Sequence, residues 1–299
     1  MKKEIIDWFK QKNRLNWIGL TILCFLLFWL QLGKLPLWDQ DEPRYYGATR
    51  TMLQTGDYIV PLFNGKPRFA KPILFYWLQA GSSKLFGITE FAARVPSALA
   101  ATLLVLGIFA FALKFLSVNG AFVSAIALAG TIGFVGSARF GTTDAVLNLF
   151  IGSSICSFYW GIHSYNKKIT NANKFQNRIP WLIGWLAITA AFITKGPVGL
   201  VLPFLVICFY LLFKRQLIIT LRHACIPTGI LLFITLSLPW YVSIHNATSG
   251  AFTDQFFLSE NVGRFGGEWG HREPWWYFLP ILFLFFFHGK LVRNTLLNL

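Results

Sequence analysis

Long apolar segments separated by short polar ones recur along the chain. Several of them approach the roughly 20 apolar residues that a helix needs to cross a bilayer. The pattern predicts an all-α membrane protein with about eight transmembrane helices, forming a single domain over residues 1–299. We place the spans at 15–33, 90–113, 120–138, 145–163, 180–194, 197–213, 224–243 and 276–289.

Two of the polar segments between these spans are long, at residues 34–89 and 244–275. In the first, residues 42–54 have a helix-compatible pattern, and residues 72–86 are aromatic and amphipathic. Amphipathic helices of this kind lie in the membrane interface instead of crossing the bilayer. We therefore expect interfacial juxtamembrane helices in the first long loop.

Composition agrees with a membrane protein. Hydrophobic residues make up 55% of the 299 and charged residues only 13%, with a mean hydropathy of +0.53. Soluble domains contain about a quarter charged residues, so a soluble protein is excluded. The cysteines (Cys24, Cys156, Cys208, Cys225) lie in or beside apolar segments without a CxxC pair, which favours packing over a disulfide or zinc site.

The net charge of +15 does not indicate a nucleic-acid partner, because Lys and Arg occur in short clusters between apolar segments. With the N-terminus inside, the predicted cytoplasmic segments hold 15 of the 27 basic residues and two of the 12 acids. The positive-inside rule favours this orientation. No small-x-small cleavage site follows the apolar run 15–32, which predicts an uncleaved first span. The chain is thus expected in an inner (plasma) membrane with its N-terminus in the cytoplasm.

Charged residues that could carry chemistry collect in the segments predicted to lie outside. Each has a simpler explanation: acids cap helices, cations meet lipid headgroups, and a lone loop histidine is solvated. Together, however, such groups suit a lipid phosphate, since cations neutralise the leaving phosphate and a carboxylate activates the acceptor. The principal candidates are Asp41, Arg44, Lys71, Asp144, Lys195 and His271, with Glu42, Tyr45, Arg68, Arg139 and Arg272 as supporting residues.

Several short motifs, taken in order, resemble the bacterial aminoarabinose transferase (ArnT-like) and protein O-mannosyltransferase superfamily. The resemblance covers roughly residues 36–282. Its motifs are Asp-Glu-x-Arg-Tyr at 41–45, Met-Leu-Gln-Thr-Gly-Asp at 52–57, Asn-Gly-Lys-Pro at 64–67, Lys-Pro-x-x-x-Tyr-Trp at 71–77, Leu-Phe-Gly at 85–87, Glu-Phe-Ala-Ala-Arg-Val-Pro-Ser at 90–97, Thr-Lys-Gly-Pro at 194–197, Glu-Asn-Val-x-Arg-Phe at 260–265 and His-Arg-x-Pro-Trp at 271–275.

The resemblance implies a GT-C fold, in which membrane helices and periplasmic juxtamembrane helices form the active site. It implies a donor sugar on polyprenyl (usually undecaprenyl) phosphate and an acceptor that is lipid A, another glycolipid or a protein. By this match Asp41 is the catalytic carboxylate and Asp144 the second functional acid. Arg44, Lys71 and Lys195 then contact the donor phosphate.

Two features depart from the superfamily pattern. The residue before Lys71, commonly a metal-binding glutamate, is Ala70, which disfavours a divalent metal and leaves His271 as the only candidate ligand. No cofactor is therefore assigned. Residues after Phe287 no longer match, so the usual C-terminal part is expected to be missing. Two alternatives stay open: an inactive or partner-dependent fragment that binds polyprenyl phosphate, and a transporter or flippase.

Overall fold

The computed structural model describes residues 2–38, 41–166, 178–263 and 276, and this part of the chain is almost entirely helical. In chain order its helices are α1 (Lys2–Cys24), α2 (Asp41–Thr55), α3 (Leu74–Phe86), α4 (Glu90–Ala112), α5 (Val118–Ala129), α6 (Ile132–Arg139), α7 (Thr143–Asn166), α8 (Ile179–Lys195), α9 (Pro197–Phe213), α10 (Leu217–His223), α11 (Ile226–Ala247) and α12 (Ala251–Thr253). Two π-helical segments, Phe25–Trp29 and Asp254–Gly263, follow α1 and α12, and a hairpin pairs β1 (Leu62–Phe63) with β2 (Lys66–Pro67).

Seven of the eight predicted spans correspond to helices in the described residues. By length and composition α4, α7 and α11 can each cross a membrane, and α5 with α6 passes the same test only as a bent pair, which is either a broken span or a re-entrant loop. The apolar stretch Asn13–Trp29, α8 and α9 are shorter apolar helices. The predicted eighth span, 276–289, lies outside the described residues apart from Trp276.

The predicted third span is divided, because α5 and α6 meet at an angle of 63°. Gly130 ends α5, and glycine is a poor helix former. The Thr131 hydroxyl donates to the carbonyl of Ala127 at 2.8 Å, a local bond that competes with continued helix. The break turns α6 toward the end of the bundle where α7 begins.

Small residues allow the membrane helices to pack closely. A methyl group added to Gly161 in α7 would lie 2.7 Å from the Trp181 ring, and one on Gly184 in α8 would lie 3.0 Å from Phe158. Close approach at glycine is typical of helix pairs in membranes, where packing replaces the hydrophobic effect as the driving force. The α7–α8 interface is therefore specified by size complementarity.

The two helices predicted in the first long loop are confirmed as α2 and α3. Tyr45 and Met52 of α2 pack with Phe75 of α3 in a buried cluster that also includes Phe252 and Phe256 of the second long loop. The described parts of both long loops therefore join in one juxtamembrane layer over the same end of the bundle.

Candidate active site

A cleft of about 670 Å³ opens in this juxtamembrane layer. Its walls come from the start of α2, the β1–β2 hairpin, the start of α7, the end of α8 and the second π-helical segment. The lining residues are Asp41, Arg44, Tyr45, Phe63, Asn64, Lys66, Pro67, Arg68, Phe69, Ala70, Lys71, Thr142, Thr143, Asp144, Lys195, Gln255 and Glu260. Five are cationic and three are acidic, so the described lining carries a formal charge of +2 (5 − 3).

Asp41 is the first residue of α2, and its side chain is 59% exposed toward the cleft. Its Oδ1 lies 3.9 Å from Nη2 of Arg68. Arg68 is held by two aromatic rings: its Nε donates to the Tyr76 hydroxyl at 3.2 Å, and its guanidinium lies 4.9 Å from the centre of the Tyr45 ring. A fixed cation thus lies beside an accessible carboxylate.

The two tyrosines keep their protons at neutral pH. Burial raises the pKa of Tyr76 to about 12, and burial likewise raises the pKa of Tyr45 well above its usual range. Tyr45 also forms a side-chain hydrogen bond with Thr143, which connects α2 to the first residue of α7. Both rings therefore act as neutral supports for Arg68 and for the wall of the cleft.

Asp144, in the first turn of α7, also lines the cleft. Its Oδ1 accepts a hydrogen bond from Nζ of Lys195 at 2.5 Å, and the two side chains are 49% and 30% exposed. Lys195 is the last residue of α8, and Gly196 follows with φ +75°, a conformation that favours glycine. This turn between α8 and α9 brings the ammonium group to Asp144.

The remaining predicted phosphate ligands also line the cleft. Arg44 lies one helical turn beyond Asp41 on α2, and Lys71 donates to the carbonyl of Ala70 at 2.9 Å. The hairpin supplies Lys66 through an Asn64–Gly65 turn in which both residues have positive φ, as a tight hairpin turn requires.

Glu42, predicted as a supporting residue, has a different environment from its neighbour Asp41. Its side chain is 2% exposed and pairs with Arg94 of α4 through two bonds, Nε to Oε1 at 2.9 Å and Nη2 to Oε2 at 2.8 Å. Its carboxylate also accepts the backbone N–H groups of Trp38 at 2.7 Å and Gly141 at 2.5 Å.

Arg94 completes this buried network. It donates to the carbonyls of Leu32 and Leu35, each at 2.9 Å, and to that of Pro36 at 2.8 Å. The pair Glu42–Arg94 therefore ties the segment after α1, the start of α2 and the loop before α7 to α4. By fixing these segments it sets the positions of Asp41 and Asp144 in the cleft.

The other supporting candidates are distributed as follows. Arg139 is not among the lining residues of the cleft; it donates to the carbonyls of Leu27 and Leu30, each at 3.0 Å, at the end of the first span. His271 and Arg272 lie outside the described residues.

Gln255 and Glu260 line the cleft although sequence reasoning did not select them as site residues. Glu260 is buried and Gln255 is exposed, both on the π-helical segment Asp254–Gly263. A buried carboxylate in a polar loop has no signature in local sequence, but Glu260 opens the Glu-Asn-Val-x-Arg-Phe motif. That motif was the available signal.

The side chains that line the cleft are poorly suited to a divalent metal ion. No group of three or more His, Cys, Asp and Glu residues converges as a metal site within the described ranges. Ala70 offers no ligand at the wall of the cleft, and Asp144 is paired with Lys195. The described lining residues therefore do not fit a divalent ion.

Comparison with known proteins agrees with this architecture. The profile described as dolichyl-phosphate-mannose-protein mannosyltransferase matches residues 70–241. The chain is 35% identical over 263 residues to an undecaprenyl phosphate-alpha-4-amino-4-deoxy-L-arabinose arabinosyl transferase of Aeromonas hydrophila, covering 87% of this chain and 46% of that protein. An uncharacterized protein of Aquifex aeolicus is 34% identical over 276 residues, covering 91% of this chain and 59% of its own length.

Among solved structures, the chain is similar to ArnT from Cupriavidus metallidurans bound to undecaprenyl phosphate. The TM-score is 0.81 at 24% sequence identity, over 94% of this chain and 50% of that one. This likeness confirms the predicted fold class, an all-α GT-C type membrane bundle. The chain spans about half the length of the curated arabinosyl transferases that it matches.

Proposed function

Because the chain belongs to the dolichyl-phosphate-mannose-protein mannosyltransferase family, we propose that it acts in a glycosyltransferase that uses a sugar linked to polyprenyl phosphate. The name of the Aeromonas hydrophila relative specifies undecaprenyl phosphate, which we take as the carrier of the donor sugar. The acceptor is a lipid A-like molecule, another glycolipid or a protein. The site lies in the membrane layer at the periplasmic face.

The observation that carries this proposal is the convergence of two carboxylates and several cations in one cleft. Asp41, Asp144, Arg44, Lys71 and Lys195 come from five separate positions along the chain, and all line the same space at one end of the bundle. A phosphate linked to a lipid is held at this depth of the membrane, and cations are the groups that bind it. The arrangement therefore matches the donor headgroup.

The geometry supports different roles for Asp41 and Asp144. Asp41 is exposed and lies beside Arg68 at 3.9 Å, so its carboxylate can take a proton from the acceptor hydroxyl or amine. That nucleophile attacks the anomeric carbon of the sugar, the bond from this carbon to the phosphate oxygen breaks, and polyprenyl phosphate leaves. Arg44, Lys71 and Lys195 neutralise the charge that develops on the phosphate.

Asp144 has a positioning role in this scheme. Its carboxylate binds the Lys195 ammonium group, and Thr142 donates to its other oxygen at 3.4 Å. Held in this way, Lys195 presents its remaining N–H donors to the cleft, since an ammonium group has three. Loss of Asp144 would leave Lys195 on a flexible stem.

The orientation follows from the charge distribution along the chain. The predicted cytoplasmic segments hold 15 of 27 Lys and Arg, which favours a cytoplasmic N-terminus. The cleft then faces the periplasm, because α1 carries the chain from the N-terminus to the end of the bundle where Asp41 begins α2.

The decisive experiment is a transfer assay with the purified full chain in liposomes. Radiolabelled sugar on undecaprenyl phosphate is the donor, lipid A is the acceptor, and Asp41→Asn is compared with Asp254→Asn, an exposed carboxylate that does not line the cleft. We expect turnover by the unmodified chain and by Asp254→Asn, and a loss of roughly a hundredfold or more in Asp41→Asn, the typical contribution of a general base.

The same preparation separates the alternatives. Full activity of Asp41→Asn would contradict the catalytic assignment. Saturable donor binding without turnover in all variants would indicate a binding fragment, and accumulation of donor inside sealed vesicles without chemical change would indicate a transporter.

A further inference from the structure

A second, smaller cavity lies at the opposite end of α4 from the cleft. Arg94 belongs to the network that positions the cleft, and Lys114 follows the end of the same helix twenty residues later, about 30 Å along a helical axis. The cavity, of about 240 Å³, is a groove between α4 and α7 with one residue from α8. We call it the α4–α7 groove, and its principal lining residues are Leu103, Gly107, Phe111, Cys156, Trp160 and Ile183.

Glycine shapes the floor of this groove. A methyl group added to Gly107 meets no heavy atom within 4 Å, whereas one on Gly152 would lie 2.8 Å from Leu104. Gly152 is thus needed for packing, and Gly107 faces open space in the groove. Aliphatic and aromatic side chains form most of the wall, so the space suits a segment of hydrocarbon chain.

A cation marks one end of the groove. Nζ of Lys114 lies 3.3 Å from the centre of the Trp160 ring, and the Lys114 side chain is exposed. No carboxylate forms an ion pair with Lys114 in the ranges that the structure describes. Trp160 restrains the stem, since cations are attracted to the face of an indole ring, and the ammonium group keeps donors for an outside partner.

We propose that the α4–α7 groove binds an anionic phospholipid of the membrane leaflet opposite the cleft. One acyl chain lies in the apolar groove over Gly107, and the phosphate group contacts the ammonium group of Lys114. Lys114 directly follows a membrane-spanning helix, which places it at headgroup depth, and basic pockets between transmembrane helices are known to select anionic headgroups. Charge complementarity therefore identifies the occupant.

Native mass spectrometry of the purified full chain tests this site. The protein is titrated with dioleoyl phosphatidylglycerol or with dioleoyl phosphatidylcholine, which has the same chains and a zwitterionic headgroup. We expect the unmodified protein to retain phosphatidylglycerol about fivefold more tightly, the effect of one basic residue near an anionic headgroup. Lys114→Gln is expected to remove this preference, and Lys114→Arg to restore it.

Filling the groove with a larger side chain provides an independent test of the lipid site. Gly107→Leu places a side chain in open space, so it is expected to reduce retention of both lipids without lowering the unfolding temperature. Gly19→Leu is the matched control, because Gly19 is exposed on α1 and a methyl group there also meets nothing within 4 Å. Lys84→Gln controls for charge, as Lys84 lies over the Tyr58 ring at 5.0 Å, away from the groove.

Several results would overturn the proposal. Equal retention of the two lipids by the unmodified protein, or unchanged phosphatidylglycerol binding in both Lys114→Gln and Gly107→Leu, excludes a lipid at this position. Loss of a dimer peak in Gly107→Leu with lipid binding intact would assign the groove to a second copy of the chain.

Discussion

Asp41 and Glu42 are neighbours on the first turn of α2, but their side chains lie in opposite environments. Asp41 is 59% exposed in the cleft, while Glu42 is 2% exposed and paired with Arg94. A helix turns about 100° per residue, which directs adjacent side chains to different surroundings. One carboxylate is therefore available for proton transfer and the other holds the scaffold.

The buried pair gives a stability prediction. Arg94→Gln removes the cation from Glu42 and leaves the carbonyls of Leu32 and Leu35 without their donor. Because the buried Glu42 carboxylate is then left without a counterion, we expect the free energy of unfolding to fall by about 3–5 kcal/mol. Denaturant unfolding in detergent measures the change, with Arg50→Gln on the exposed face of α2 as control. Equal stability of the two variants would contradict a structural role for Arg94.

Arg68 gives a prediction about activity. Its guanidinium contacts the Tyr76 hydroxyl, the Tyr45 ring and Asp41 at the same time, which the single ammonium group of lysine cannot reproduce. In Arg68→Lys we expect kcat/KM for sugar transfer to fall by roughly tenfold to a hundredfold, the value of one hydrogen bond to a charged group. Lys84→Arg, outside the cleft, is expected to retain the parent kcat/KM. An Arg68→Lys enzyme with parent kcat/KM would show that positive charge alone suffices.

Sequence reasoning reached part of this site. It selected Asp41, Arg44, Lys71, Asp144 and Lys195, all of which line the cleft, because charges in the predicted outer segments are few and they fall within the family motifs or at the ends of apolar spans. It did not separate the surroundings of Glu42 from those of Asp41, nor find its partner. Glu42 and Arg94 are 52 residues apart, and a pairing over that distance depends on helix packing, which local pattern does not encode.

At the scale of elements, hydrophobic periodicity predicted the helices better than the breaks between them. The interfacial helices α2 and α3 agree with the predicted residues 42–54 and 72–86 to within two residues at each end. The 63° bend between α5 and α6 was not predicted, because one glycine and one threonine hydroxyl decide it within an otherwise continuous apolar run. The free-energy difference between a continued helix and a break at these residues is about 1 kcal/mol. The periodicity of hydrophobic residues does not resolve so small a difference.

The α7–α8 interface yields a matched pair of glycine substitutions. Gly161→Ala places a methyl group 2.7 Å from Trp181, so we expect a loss of about 1–3 kcal/mol from overpacking. Gly81→Ala in α3 meets nothing within 4 Å and is expected to gain about 0.5–1 kcal/mol, because alanine loses less backbone entropy. Unfolding temperatures of both variants in the same detergent check the opposite signs. A stabilised Gly161→Ala would mean that α7 and α8 are not packed as described.

For the whole molecule, the two ends of the bundle should lie on opposite sides of the membrane. Asn64, in the hairpin turn at the cleft, and Asn119, in the first turn of α5, report on the two ends. In a background with the four cysteines replaced by alanine, we expect Asn64→Cys to react with an impermeant maleimide in spheroplasts. Asn119→Cys should react only after permeabilisation. Labelling of both positions from outside would contradict the proposed orientation.

The network around Glu42 also has a consequence for biogenesis. A ribosome makes Glu42 52 residues before Arg94 and 99 residues before Gly141. Until α4 has been synthesised, Glu42 has no counterion, and its carboxylate stays hydrated. Burial of that glutamate must wait for the insertion of α4, and closure over it for the translation of the loop before α7. The start of α2 therefore reaches its final position late in synthesis, after α4 has been inserted and the loop before α7 has been made.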